Sequence, residues 1–393
     1  NGVSVGCVMS IGYGAYVYLN NWRPDTYSRV LYKLTQKRGG KFIYAAPFVR
    51  LMKYYGINGI GFNSEFHTTA DVMTQLTEFF VECHKEAKKI DWKFEVHWYD
   101  GTDDRGSIHF DGGLGDHNKK IFGDKDNIAT DMLFANYNWG NWHLNGSVST
   151  ANRLGRSSFD YYAGFDIQGR ALRNNNWSAL LNNDISIGFW GAHSQSLIHQ
   201  SATDDGTSDI AIQKAYLKKQ ELIFSGGNNN PGYLPGINTN CTLANSSLKN
   251  FHGLATFLTA KSTIQQIPFV SRFNLGNGLS FRKDGQVAFD HKWYNLNTQD
   301  FMPTWRWWIT DSNDEVNGSN INGLVKAELT FDDAYWGGSC LSLSGQTDFS
   351  RVKLFKTMLE VQPDYEFSVT YKTLKGTDSH AKLFVALKDH TTD

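Results

Sequence analysis

Phosphate-binding glycine loops are missing from this sequence. No GxGxxG or GxxxxGKT follows any strand-like run, which disfavours a nucleotide-binding open sheet. Cysteine is scarce: Cys7, Cys83, Cys241 and Cys340 stand far apart, with no CxxC or Cys/His cluster. They read as small buried hydrophobes rather than a zinc site or a disulfide framework. Charge imbalance is absent as well. The formal net charge is -1, which argues against a surface built for nucleic acid or an acidic membrane. No apolar run approaches the ~18 residues that suggest a membrane span. The chain opens Asn1-Gly2-Val3 without Met or a signal-peptide pattern. It is therefore expected to start inside a domain, with targeting information outside the sequence.

What is present is length and aromatic surface. At 393 residues the chain exceeds one average domain, so one large domain and part of a second are expected. Aromatic residues make up 14%, with 12 Trp and 18 Tyr. Many must be core, but the excess alongside many Asn also suits carbohydrate, whose C–H faces stack on rings and whose hydroxyls take neutral hydrogen bonds.

Short β-rich apolar runs recur at 2–9, 57–64, 93–99, 131–137, 160–166, 184–190 and 267–274. Helical stretches intervene. Residues 70–90 carry Met73, Leu76, Phe80, Cys83 and Ala87 at helical spacing, with Thr69 as N-cap and lysines at the C-terminal end. Residues 45–55 and 211–224 read as two more helices. Strand and helix in alternation imply a parallel sheet, and the missing phosphate loops favour a (β/α)8 barrel over a doubly wound one. The seven strands fit a barrel over residues 1–310 whose first strand lies outside the sequence. From about 315 the texture changes. A polar stretch, DSNDEVNGSN, precedes short alternating runs broken by Gly, Asp and Pro. Residues 311–393 are accordingly expected to begin a β-sandwich of accessory, carbohydrate-binding-like character, itself cut short at Asp393.

In such a barrel, reactive side chains come from the C-terminal ends of strands. GINGIGFNSEF ends on Asn63 and Glu65, and strand alternation would point both the same way with Ser64 turned aside. FEVHWYDG puts Glu95, His97 and Tyr99 on one face and Asp100 at the tip; LFANYNWGNW offers Asn136, Tyr137, Trp139 and Trp142. A carboxylic acid beside an amide and a phenol in an aromatic mouth suits acid-assisted cleavage of a glycosidic bond. Each has a plainer reading. A strand-end glutamate is often a solvated or capping group, His97 a satisfied interior histidine, and Trp139, Trp142 and Trp190 packing residues. His109, Asp111, Asp116 and His117 imitate a metal cluster, but in a Gly-rich loop without a defined ligand spacing, so no metal or cofactor is expected.

The segments YYGINGIGFNSEF, HWYDGTDDRGSIHFDGGL, FANYNW, YYAGFDIQGR, IPFVSRFNLGNG and FDDAYWGGSCLSLSG follow one another in this order. Together they resemble family 85 of the glycoside hydrolases, the endo-β-N-acetylglucosaminidases, from Asn1 to at least residue 345. The Asn-x-Glu strand followed downstream by Trp98-Tyr99-Asp100 is the most specific part. The resemblance implies a barrel followed by β-sandwich domains. It also implies hydrolysis of the β-1,4 bond between the two core N-acetylglucosamines of N-linked glycans, retaining and substrate-assisted, with transglycosylation as a side activity. Carried over by motif, Glu65 is the general acid/base, Asn63 polarises the substrate's 2-acetamido group, and Tyr99 hydrogen-bonds it. Phe110, Tyr137, Trp139, Asp166 and Trp190 would line the glycan groove. In one place the chain departs from the pattern: Phe110, Asp111 and Gly112 stand where the family often shows Trp-Gln-Asn. The partner implied is an N-linked glycan of a glycoprotein or glycopeptide. The placement implied is the exterior or surface of a bacterial cell, or the cytosol if the source is eukaryotic.

Two other readings share these residues: double displacement with Asp100 or Asp166 as nucleophile, and a non-catalytic glycan-binding barrel. Replacing the substrate's 2-acetamido group by hydroxyl separates the first two mechanisms. Substrate assistance predicts that the hydroxyl analogue is not turned over at all; turnover comparable to the natural glycan would favour an enzyme nucleophile.

Overall fold

The computed structural model describes residues 16–20, 31–166, 177–190, 207–226, 253–257, 262–264, 266–304, 306–310, 325–345, 350–357, 359–374 and 382–385. The chain divides into two compact units, Asn1–Ala260 and Lys261–Asp393.

The first unit is built on a six-stranded parallel sheet. Its strands are β1 (Tyr16–Asn20), β2 (Gly59–Asn63), β3 (Glu95–Tyr99), β4 (Met132–Phe134), β5 (Tyr161–Asp166) and β6 (Ser186–Trp190). Helices α1 (Ala45–Tyr54), α2 (Ala70–Lys89) and α3 (Asn141–Arg153) lie between β1 and β2, β2 and β3, and β4 and β5. Spatial order equals chain order throughout. Doubly wound sheets reverse their order at a switch point; a (β/α)8 barrel does not. The described sheet thus has the winding of an α/β barrel, and closure into a ring is not part of it. The expected strand at 2–9 lies outside the described residues. The strand beside β2 is instead YVYLN at 16–20, a five-residue run that the sequence reading passes over.

The two faces of the sheet differ in kind. Ile60, Phe62, Val96, Trp98, Leu133, Tyr161, Ala163 and Phe165 are buried in one core with Leu76, Phe79, Phe80 and Cys83 of α2. Phe62, Phe80 and Trp98 form an aromatic knot, with Phe62 5.3 Å from each of the other two rings. The helix is set as its sequence suggests: Thr69 caps it by accepting from the Val72 N–H at 3.3 Å, and Lys88 and Lys89 close its C-terminal turn. On the opposite face, register aligns Gly61 with His97, His97 with Met132, and Tyr99 with Phe134. Next on that face come Tyr162 beside Phe134, and Gly164 beside Gly188. The glycines make room for one ring: a Cβ at Gly188 would overlap Phe134, and one at Gly164 would meet both Phe134 and the Ala135 carbonyl. His97 on this face is buried beside Glu95, the satisfied interior histidine expected.

In the second unit the described ladders are all two-stranded and antiparallel: 277–278 with 293–294, 281–283 with 286–289, 308–310 with 351–353, and 326–330 with 340–344. The strand expected at 267–274 does not form. Phe273 has φ +57°, outside any strand conformation. Side chains take up its backbone groups instead: the Asp300 carboxylate accepts from Arg272 N and Asn274 N at 2.8 and 3.1 Å, and the Ser339 hydroxyl accepts from Leu275 N at 2.9 Å. Two of the alternating runs expected as sandwich strands, YEFSVTYKTL at 365–374 and AKLFVALKD at 381–389, likewise find no partner strand among their described residues, 365–374 and 382–385, and leave Phe367, Tyr371 and Phe384 exposed. Alternation marks a segment that suits a sheet, but a strand also needs a neighbour.

The Gly188→Ala substitution is expected to cost about 1–3 kcal/mol by overpacking, read by urea denaturation. Adding Phe134→Leu should recover part of that loss, a non-additivity diagnostic of direct contact. Gly164→Ala should not be rescued in this way, because its Cβ also meets backbone.

Candidate active site

The C-terminal ends of β2 and β3 are locked together by hydroxyls. Ser64, fully buried, donates to the Tyr99 carbonyl. Its own carbonyl accepts from Thr102 N at 2.5 Å. The Thr102 hydroxyl accepts from Phe66 N at 3.1 Å and lies 2.7 Å from both the Ser64 and Phe66 carbonyls, with one proton to give. Ser64 is thus a bolt between strands and more than a spacer turned aside. β2 ends at Asn63, and the next residues tighten into a turn in which Glu65 N donates to the Asn63 carbonyl at 2.9 Å. That turn, rather than the pleat, sets Glu65. Gly101 leaves space for the strand lock beside it: a Cβ there would overlap the Ser64 carbonyl, while Glu65 Cγ would stand at ordinary contact, 3.5 Å away.

A small pocket of about 30 Å³ opens on the glycine-rich face, lined by Asn63, Tyr99, Phe134, Tyr137 and Trp190 among others. The Tyr99 ring lies 6.1 Å from Tyr137 and 6.0 Å from Phe110, and its hydroxyl donates to Asn136 Oδ1 at 2.8 Å. Burial raises the Tyr99 and Tyr137 phenols well above their ordinary value, and the charges of Glu65 and Asp166 raise them further. Both therefore keep their protons at neutral pH and remain donors. Glu65 is itself raised above the ordinary carboxylate value by partial burial. So Asn63, Tyr99, Tyr137 and Trp190 share one pocket, Glu65 and Asp166 act on its phenols, and Phe110 packs against it.

Trp139 does not belong to this group. It is 2% exposed, meets Phe165 edge to face, and donates its indole N–H to the Gly164 carbonyl at 2.8 Å. It is a packing residue, because a buried indole needs its partner inside. Trp142 is 73% exposed on α3. The sequence reading names Asn136 only as a strand-end residue; its role as holder of the Tyr99 phenol has no signal in sequence beyond that position. Phe134, filling the space over two glycines, is missed for the same reason.

Asp100, the alternative nucleophile, is 2% exposed with both oxygens engaged. It accepts from Gly112 N at 2.6 Å, Asn118 Nδ2 at 3.0 Å and Asn136 N at 3.4 Å. It holds two loops together rather than facing the pocket, and burial pushes its carboxyl up to about 7 against the pull of those donors. The loop it braces brings His109, Asp111 and His117 together, and leaves Asp116 apart on Lys119 at 2.6 Å.

The profile of glycosyl hydrolase family 85 matches residues 16–281. The chain belongs to that family. This family 85 chain is similar to the cytosolic endo-beta-N-acetylglucosaminidase of Mus musculus, 25% identical over 301 residues, which are 75% of this chain and 34% of that protein. It is equally similar to the Homo sapiens protein of the same name, 25% identical over 290 residues, or 72% and 32% of the two. The chain thus spans about a third of the length of these relatives. Among solved structures it resembles the glycoside hydrolase domain of Endo-D from Streptococcus pneumoniae R6. The TM-score is 0.68 at 24% identity over 88% of this chain and 52% of that one, a likeness of fold. No described helix is long and apolar enough to cross a membrane.

A carboxyl raised on folding favours the folded state fully below its ordinary value of 3.8 and loses that contribution as pH rises through about 7. Asp100→Asn cannot titrate. The stability difference between the wild type and Asp100→Asn should therefore narrow from pH 4.5 to pH 7.5, measured by denaturant unfolding; a constant difference would contradict the buried assignment.

Proposed function

We propose that this chain is the catalytic part of an endo-β-N-acetylglucosaminidase. It would cleave the β-1,4 bond between the two core N-acetylglucosamines of N-linked glycans, with retention and with the substrate's acetamido group as nucleophile. The observation that carries the reading is that Asn63 and Tyr99 line one aromatic pocket at the strand ends, with Glu65, its carboxyl raised by partial burial, close enough for its charge to act on the Tyr99 phenol. A (β/α)8 barrel completing the six-stranded sheet, followed by an accessory β domain, is the scaffold this implies.

The chemistry follows from the groups. In the first step the acetamido oxygen attacks the anomeric carbon as its bond to the leaving sugar breaks, and Glu65 passes its proton to the departing oxygen. The cyclic oxazolinium so formed carries positive charge near nitrogen, which the Asn63 amide oxygen and the Tyr99 phenol stabilise. No enzyme nucleophile is needed, the substrate-assisted exception among retaining glycosidases. In the second step Glu65, now ionised, takes a proton from water as the water opens the ring; an acceptor alcohol in place of water gives transglycosylation. A raised carboxyl serves both steps because it holds a proton closer to neutral pH than an ordinary glutamate does. Tyr99 must release Asn136 to reach the acetamido group, a swap of one acceptor for another. Double displacement through Asp100 is disfavoured by the engagement of both its oxygens. As for placement, the mammalian relatives are named cytosolic and the Endo-D neighbour is bacterial, so cytosolic and extracellular placements each follow from a different source.

Glu65→Gln should lower hydrolysis of a defined N-glycopeptide by about 10²–10⁴-fold, the usual worth of a positioned acid/base. Asn63→Ala should lose the natural substrate to a similar degree yet still use a preformed sugar oxazoline as donor. Wild-type rates in Glu65→Gln, read by mass spectrometry of the single-N-acetylglucosamine product, would overturn the assignment.

A further inference from the structure

The loop between β3 and β4 carries a cluster that the proposed reaction does not use. His109 Nδ1 lies 2.7 Å and His117 Nδ1 2.9 Å from the same oxygen, Asp111 Oδ1. The two imidazole rings are 4.3 Å apart, and one ligand atom from each of the three residues lies within 4.8 Å of the others. The second carboxylate oxygen, Asp111 Oδ2, is buried with no hydrogen-bond partner among the described residues. An orphaned buried carboxylate oxygen is costly, and it calls for a proton donor or a cation.

We propose that His109, Asp111 and His117 bind a divalent transition-metal ion of the zinc class. Two imidazoles with one carboxylate are the donor set of zinc, cobalt or nickel rather than of magnesium or calcium, which prefer oxygen alone. Around a tetrahedral zinc with bonds of about 2.0–2.1 Å the ligand atoms stand roughly 3.3 Å apart, so each histidine nitrogen must back away from Asp111 by about half an ångström. Both histidines are partly exposed, which leaves the ion an entry path and a position for solvent. The loop is held ready. Asp100 grips Gly112 N next to Asp111, Asn118 Nδ2 donates to the Gly113 carbonyl at 2.8 Å next to His117, and the Tyr161 hydroxyl donates to the Gly112 carbonyl at 2.7 Å.

The ion has a structural consequence because Phe110 sits between two of its ligands. The Phe110 carbonyl accepts from Asn138 Nδ2 at 2.9 Å, Asn138 Oδ1 accepts from Asn136 Nδ2 at 3.0 Å, and Asn136 holds the Tyr99 hydroxyl. Fixing His109 and Asp111 on a metal pins Phe110 beside the Tyr99 ring. The binding claim stands independently of the proposed reaction; only this consequence rests on it.

The test is a zinc titration of the whole chain by calorimetry after chelator treatment and desalting, with cobalt(II) absorption as a second readout. One saturable equivalent of zinc is expected, with calcium and magnesium not competing for it. His109→Gln and Asp111→Asn should each weaken binding at least tenfold while circular dichroism stays that of the wild type, and His109→Ala with His117→Ala should abolish it. No saturable equivalent in the wild type, displacement by calcium, or unchanged affinity in His109→Gln, whose partly exposed side chain is not needed for folding, would overturn the proposal.

Discussion

Everything at the mouth of this sheet depends on a pair of hydroxyls. Ser64 and Thr102 cross-link the ends of two adjacent parallel strands through backbone carbonyls, at a point where the ladder itself has stopped. Parallel strands diverge beyond their last paired residue, so side chains set there would ordinarily drift apart. The lock keeps the turn after β2 against the loop after β3. Glu65, which belongs to neither strand, is thereby held over Gly101 beside Tyr99. The interaction is buried, and a buried hydroxyl that loses its partner is costly. Rigid support beneath a positioned acid is what the proposed chemistry requires.

The sheet's two faces divide the labour. One packs large aromatics against α2 and supplies cohesion. The other trades side chains for space at Gly164 and Gly188, so that the Phe134 ring can fill the middle of the sheet beside the pocket. The same crowding governs the electrostatics. Removing water from around Glu65, Tyr99 and Tyr137 favours the protonated form of each, and nearby negative charge reinforces the effect on the two phenols. Two phenols that keep their protons at neutral pH, beside a carboxyl raised above its ordinary value, can donate to a sugar from several sides.

Much of this is legible in the sequence, for identifiable reasons. The helix over 70–89 shows its periodicity, its cap and its closing lysines together, and agreement across those levels makes the assignment secure. Five of the six strands of the parallel sheet stand out in the sequence as short apolar runs. β1 escapes notice because its short run is hemmed in by the turn-forming Gly12, Gly14, Asn20 and Asn21, and the strand at 267–274 fails because a positive φ and the distant Asp300 carboxylate override its pattern. Asn63, Glu65 and Tyr99 are proposed through motif and strand position, although the strand whose alternation is invoked for Glu65 ends at Asn63, two residues before it. Trp139 misleads because burial is a property of the fold. His109, Asp111 and His117 have no diagnostic spacing, and only the loop's three-dimensional path unites them.

The central claim is that an amide, a phenol and an acid meet on one sugar whose own acetamido group attacks. A crystal structure with a thiazoline analogue of N-acetylglucosamine, a stable mimic of the bicyclic intermediate, examines that claim directly. The account predicts the thiazoline ring between Asn63 and Tyr99, with a Glu65 oxygen within hydrogen-bond reach of the leaving-group side of the anomeric carbon. A ligand seated away from these residues, or one whose nearest carboxylate at the anomeric carbon is Asp166 or Asp100, would contradict it.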